Sequence, residues 1–131
     1  MGQRQVIAIV DDDSLVRETV SDLLDSAGYS SAAFSSSERF LKSRRLSKFS
    51  CLITDMRMSG MTGTELHKRL LAGGHAIPTI LITAYPDEAV RAWAAMAGIL
   101  CYLPKPFTSE ALLACVDSAL HGQRDESGRH R

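Results

Sequence analysis

Five short apolar runs punctuate the chain, and each is followed by apolar residues at helical spacing. Val6–Val10 is rich in β-branched residues and stops abruptly at Asp11, Asp12 and Asp13, which predicts a buried strand with carboxylates at its C-terminal end. Leu15, Val16, Thr19, Val20, Leu23, Leu24 and Ala27 then line one wide face of a helix, with Gly28 as its C′ residue. Residues 29–34 read as a weaker strand, and Ser35, Ser36 and Ser37 offer caps for a second helix reaching about Leu46. Residues 51–54 form a third strand, again ending on a carboxylate, Asp55. Gly60 and Gly63 break a loop, and residues 65–72 form a short helix closed by Gly73 and Gly74. Thr79–Thr83 is a fourth strand, residues 87–97 an alanine-rich helix stopped by Gly98, and residues 99–103 a fifth strand. Thr108 or Ser109 caps a last helix to about Leu120.

Continuously apolar strands alternating with helices call for an α/β fold, a doubly wound parallel sheet of five strands covered on both faces. Right-handed crossovers leave few topologies. One domain is expected over residues 1–121, with 122–131 as a polar tail or linker stub, because that stretch is mixed in charge and lacks apolar periodicity. Fifteen basic and fifteen acidic residues cancel, so the chain has no global electrostatic footprint for nucleic acid or an anionic membrane. No apolar run approaches the length of a membrane span, and no signal-peptide pattern opens the chain. Cys51, Cys101 and Cys115 are distant and odd in number. They read as small buried hydrophobes with neither metal spacing nor a disulfide framework, which implies a reducing cytoplasm.

Ligands of open α/β sheets bind beyond the carboxyl ends of the strands. The polar residues expected there are Asp11, Asp12, Asp13, Asp55, Thr83 and Lys105. Crowded carboxylates penalise one another's charge unless a cation is present, and oxygen donors without His or Cys favour Mg²⁺. Lys105 adds a mobile positive charge and Thr83 a hydroxyl, a set suited to handling a phosphoryl group.

The segments IVDDD (9–13), LITDMRMSGMTG (52–63), ILITAY (80–85) and AGILCYLPKPF (97–107) together resemble the receiver domains of two-component response regulators. The resemblance covers residue 5 to about 120. It implies the flavodoxin-like strand order 2-1-3-4-5, an order that receivers themselves exemplify. It implies Asp55 as phosphoacceptor; Asp11, Asp12, Asp55 and the Arg57 backbone carbonyl as Mg²⁺ ligands; and Thr83 and Lys105 as phosphate contacts. Tyr102 would be the aromatic that moves with Thr83, and the Lys105–Pro106 peptide would be cis. Arg57 and Tyr85 would flank the path of attacking water and set the lifetime of the phosphoryl group. The donor would be a sensor histidine kinase or a phosphotransfer protein, and the surface of helix four, strand five and helix five would meet a second copy or an output partner. Where the family usually has proline, this chain has Ser59, which loosens that turn.

Plainer roles compete at several positions. Asp13 is read as a helix cap. Lys42, Arg44, Arg45 and Lys48 are read as a solvated helix end, and His67 and His75 as surface residues. Ala92 and Ala95 suit the inward face of helix four, which turns Trp93 outward near Arg91 and makes both candidate interface residues; the alternative tucks Trp93 inward with Val90 and Ala97. Two other functions fit parts of the pattern. A Mg²⁺-dependent phosphohydrolase of the haloacid-dehalogenase type would need a second Asp where Arg57 stands, and a pseudo-receiver would lack an acidic, Thr or Lys member. The expected protein is therefore a non-enzymatic switch whose only reactions are its own phosphorylation and dephosphorylation.

Overall fold

A computed structural model describes residues 5–43, 46–58 and 60–128, with side chains described as far as residue 121. The strands are β1 (Val6–Val10), β2 (Ser30–Phe34), β3 (Phe49–Asp55), β4 (Thr79–Thr83) and β5 (Cys101–Pro104). The helices are α1 (Ser14–Ser26), α2 (Ser37–Leu41), α3 (Gly63–Ala72), α4 (Glu88–Met96) and α5 (Ser109–Gly128), with one 3₁₀ turn at Leu46–Lys48. The five strands are all parallel in the order β2-β1-β3-β4-β5. This is the doubly wound, flavodoxin-like sheet that the alternation and the resemblance predict.

The two faces of the sheet carry separate cores because strand side chains alternate. Ile7, Ile9, Cys51, Ile53, Ile80 and Ile82 face one way, against Val20 and Leu24 of α1 and Leu112 and Val116 of α5. Ala8, Val10 and Leu52 face the other, against Phe40 of α2 and Leu66 and Leu70 of α3. Leu81 on that second face meets Ala94 of α4 and Ile99 in a smaller cluster, so α4 is the helix with the least buried support. Phe34, Phe40 and Phe49 meet edge-on or tilted with centroids 5.2–6.0 Å apart, which anchors the five-residue α2.

Several element ends differ from the sequence reading. α2 stops at Leu41 instead of near Leu46. Leu41 and Leu46 both pack against the second core, yet they would lie about 140° apart around one helix, so the helix ends before the second can turn inward. β5 starts at Cys101 because the Ile99 N–H is already given to the Ala94 carbonyl, and Gly98 N–H to Ala95, in a Schellman closure of α4. Gly98 sits at φ +88°, where a side chain would be strained. Helix α5 continues past Leu120 to Gly128, so the polar stretch is helical in its first part; Gln123, Arg124 and Glu126 are all good helix formers. Arg44, Arg45 and Ser59 lie outside the described residues.

Helix α4 also has a different register from the expected one. Ala92 and Ala95 are exposed, and the inward stripe is Val90, Trp93, Ala94 and Ala97. That i, i+3, i+4, i+7 stripe buries a branched and an aromatic side chain, more apolar area than the alanine register would cover. Trp93 is partly exposed all the same. Its ring carries the Lys68 ammonium of α3 at 5.5 Å, whereas Arg91 lies over Tyr102 at 4.8 Å.

Candidate functional site

The carboxyl ends of β1, β3, β4 and β5 converge, and the sequence places its reactive side chains there. Asp11 follows β1, its N–H bonded to the Phe34 carbonyl and its carboxylate accepting the Asp13 N–H at 2.9 Å. Asp13 turns away and caps α1 by accepting the Leu15 N–H, as expected. Asp55 ends β3, and Thr83 ends β4. Lys105 follows β5 and is pinned by its own N–H to the Thr83 carbonyl at 2.7 Å; the next peptide bond, to Pro106, is cis.

The carboxylates of Asp11, Asp12 and Asp55 each present an oxygen within 4.8 Å of the others. Asp11 and Asp55 are buried, and Asp12 stands exposed at the rim. Lys105 Nζ lies 3.4 Å from both Asp11 Oδ2 and Asp55 Oδ1. Burial, then the charge of Asp11, push the Asp55 carboxyl up to about 6, with Lys105 pulling against them. Asp11 is raised too, chiefly by burial. Burial by itself would lower Lys105, but Asp11 and Asp55 outweigh it and hold the ammonium above its usual range. Three carboxylates against one ammonium leave an uncompensated negative charge, with an exposed oxygen at the rim. An all-oxygen donor set of this kind fits a hard divalent cation that keeps some of its water.

Four further features bear on the site. Thr83 is fully buried, and its hydroxyl accepts the Tyr85 N–H at 3.0 Å. Arg57 and Tyr85, both exposed, stack on each other, guanidinium to ring centroid 5.1 Å. Tyr102 is partly buried against the α4 cluster, and its hydroxyl accepts the Asp87 N–H at the start of α4. An apolar groove of about 530 Å³ adjoins Lys105, lined by Leu15, Val16, Thr19, Ala84, Pro106 and Phe107. Leu15 is 68% exposed there.

The sequence reading misses several contacts. Arg17 donates to the Asp11 carbonyl at 2.7 Å, supporting the strand end from α1. Ser37 donates to the Met61 carbonyl, and Glu38 accepts the Met61 N–H, both at 3.2 Å, so α2 holds the loop between β3 and α3 by both backbone atoms of one residue. The two contacts to Met61 span more than twenty residues and leave no mark in local pattern. Gly63 has a legible cause only in three dimensions: a Cβ there would strike the Asp55 carbonyl and the Leu81 side chain. His67, expected on the surface, is instead buried. Its ring bridges Thr79 Oγ1 at 3.3 Å and the Ala97 carbonyl at 3.1 Å, tying α3 to β4 and α4, because two polar partners make burial tolerable. His75 is half-buried. The cysteine reading is corrected as well: Cys101 and Cys115 are joined as a disulfide between β5 and α5, and only Cys51 is a free, buried thiol. Fourteen residues of separation give no framework signal; the packing of α5 on β5 brings the pair together.

Comparison with known proteins agrees with this geometry. The family model for the response regulator receiver domain matches residues 7–117. The transcriptional regulatory protein FixJ of Bradyrhizobium diazoefficiens is 34% identical over 114 residues, covering 87% of this chain and 56% of that protein. The response regulator protein TodT of Pseudomonas putida is 39% identical over 115 residues, covering 88% of this chain and 51% of its own length. The chain thus spans about half the length of these curated relatives. Among solved structures, the response regulator StyR superposes with a TM-score of 0.86 at 38% identity, over 95% of this chain and 64% of that one. The N-terminal part of FixJ gives 0.80 at 30% identity, over 92% and 96%.

Proposed function

The chain belongs to the response regulator receiver family of two-component signalling, and on that premise we propose that it takes a phosphoryl group onto Asp55 and uses it to alter the surface of α4, β5 and α5. The observation that carries this reading is the placement of Lys105 Nζ 3.4 Å from both Asp55 and Asp11, in a pocket with more carboxylates than cations. Receivers are signalling modules, and this one would act only on its own phosphoryl group.

In the proposed reaction an Asp55 oxygen attacks phosphorus, the bond to the donor nitrogen of a phosphohistidine breaks, and the imidazole leaves. Attack requires the carboxylate, which burial and Asp11 disfavour. Asp11, Asp12, Asp55 and the Arg57 backbone carbonyl would hold Mg²⁺, which when bound supplies neutralising charge to carboxylates and phosphoryl oxygens alike. Lys105 follows the charge from Asp55 to the transferred group. Thr83 accepts from the Tyr85 N–H and keeps its own proton for a phosphoryl oxygen. Movement of Thr83 would admit the Tyr102 ring, which gives up its bond to Asp87 and releases the start of α4. Arg91 moves with it through its stacking on that ring. Arg57 and Tyr85, stacked on each other, would limit water's access to the acyl phosphate and so set its lifetime.

The donor would be a sensor histidine kinase or phosphotransfer protein, seated against the apolar groove beside Lys105. The changed surface would recruit a second copy or an output partner through Arg91 and Tyr102, with Trp93 at the border toward α3. No described helix is long and apolar enough to cross a membrane. A receiver that accepts its phosphoryl group from a sensor kinase would work in the cytoplasm. Residues 1–121 would form the receiver and 122–131 a tail or linker; neither nucleic acid nor membrane is a proposed partner of this chain. Incubation with Mg²⁺ and acetyl phosphate followed by intact-mass measurement tests the central claim. One phosphoryl per chain, lost in Asp55→Asn, is expected. Multiple turnover without a stable adduct would make it a phosphohydrolase, and no uptake a pseudo-receiver.

A further inference from the structure

We propose that Cys101 and Cys115 form a reversible thiol–disulfide pair that closes the loop carrying Lys105, taking its oxidising equivalents from a low-molecular-weight disulfide. Cys101 lies on β5 and Cys115 on α5, with Cα atoms 6.2 Å apart, inside the usual span for bridged cysteines. The chain between them contains Lys105, with its ion pairs to Asp11 and Asp55, Phe107, which is partly buried against the core, and the helix cap Thr108. The bond therefore ties both ends of the segment that presents the site's ammonium. Cys101 and Leu103 face α5, whereas Tyr102 faces α4, so the cross-link holds β5 from the side opposite the aromatic ring.

The three cysteines differ in chemistry. Cys51 is fully buried, and burial pushes its thiol up to about 12, so it stays protonated and inert. Cys101 is partly exposed and Cys115 is nearly covered, which makes Cys101 the entry point. Its thiolate attacks one sulfur of a small disulfide, forming a mixed disulfide and releasing one small thiol. The Cys115 thiolate then attacks Cys101 Sγ and expels the second small thiol. The protein pair loses two protons and two electrons, and the small disulfide is reduced to two thiols. In a reducing cytoplasm a pair of this kind cycles rather than persisting. The thiol chemistry stands apart from the proposed phosphorylation; only its effect through Lys105 rests on that reading.

The protein is equilibrated in glutathione buffers from fully reduced to fully oxidised, quenched with acid, alkylated with N-ethylmaleimide in denaturant so that the buried Cys51 also reacts, and weighed intact. The expected result is uptake of three labels in the reduced buffer and one in the oxidised buffer, with a single transition between. Oxidised monomer should melt roughly 10 °C higher than reduced monomer. Amide exchange across residues 103–108 should slow several-fold on oxidation while β1 is unchanged. Cys51→Ala should keep the transition, and Cys101→Ser or Cys115→Ser should abolish it. Three labels in every buffer, one label even in excess reduced glutathione, or oxidation only to a dimer linked between chains would each overturn the proposal. These readouts need no phosphoryl group, so failure of the thiol pair is distinguishable from failure of Asp55 phosphorylation.

Discussion

Asp55→Asn should stabilise the protein in the absence of divalent metal. The native carboxyl titrates at about 6 against 3.8 when unperturbed, because burial and Asp11 oppose its charge. Between those pH values the native state keeps a proton that the unfolded chain has released, so stability falls as pH rises through the window and stays reduced above about 6. A shift of about two units corresponds to about 3 kcal/mol. Asparagine keeps the shape without the charge, but Lys105 loses one of two carboxylates at 3.4 Å. The net gain at pH 7.5 in EDTA should therefore be about 1–3 kcal/mol, read as a urea midpoint higher by roughly 0.5–1.5 M. Asp11 is raised in the same direction, yet it is present in both proteins and largely cancels in the difference. Near pH 4 the advantage should shrink toward zero, since the wild-type carboxyl is then mostly protonated in the native state. Mg²⁺ should stabilise the wild type more than the variant. A variant less stable than wild type at pH 7.5 in EDTA, or a difference equal at pH 4 and pH 7.5, would refute the account of a charge-frustrated pocket.

Asp12→Ala should weaken Mg²⁺ binding at least tenfold by calorimetry while leaving the metal-free melting temperature unchanged or higher; a sharp fall would show that Asp12 is structural. Replacing Arg57 and Tyr85 together with Ala should change the phosphoryl half-life several-fold with little effect on Mg²⁺ affinity, and equal lifetimes would remove the shielding role. Glu38→Ala should loosen the loop after Asp55 and lower Mg²⁺ affinity several-fold, whereas Glu38→Gln keeps an acceptor for the Met61 N–H and should retain most of it. Ser37→Ala leaves the Met61 carbonyl without its buried donor and should cost about 1 kcal/mol in urea unfolding.

Local pattern determined much of this molecule. Four apolar runs ending at Asp11, Asp55, Thr83 and the Lys105 turn read as strands, a fifth ends at Phe34, and parallel strands put the four polar ends on one edge. The sheet, its two covered faces and the membership of the acidic pocket follow from that and from the family resemblance. The tertiary structure decided what depends on contacts distant in sequence. The register of α4 was set by which of two helical stripes fills the space over Leu81, a choice the alanine spacing left open. His67 is buried because Thr79 and Ala97 offer it partners from two other parts of the fold. The pairing of Cys101 with Cys115, and the hold of Ser37 and Glu38 on Met61, exist only once α5 lies on β5 and α2 lies beside the loop after β3. Periodicity reports which way a side chain faces within its own element; it carries no information on which side chain of another element it will meet.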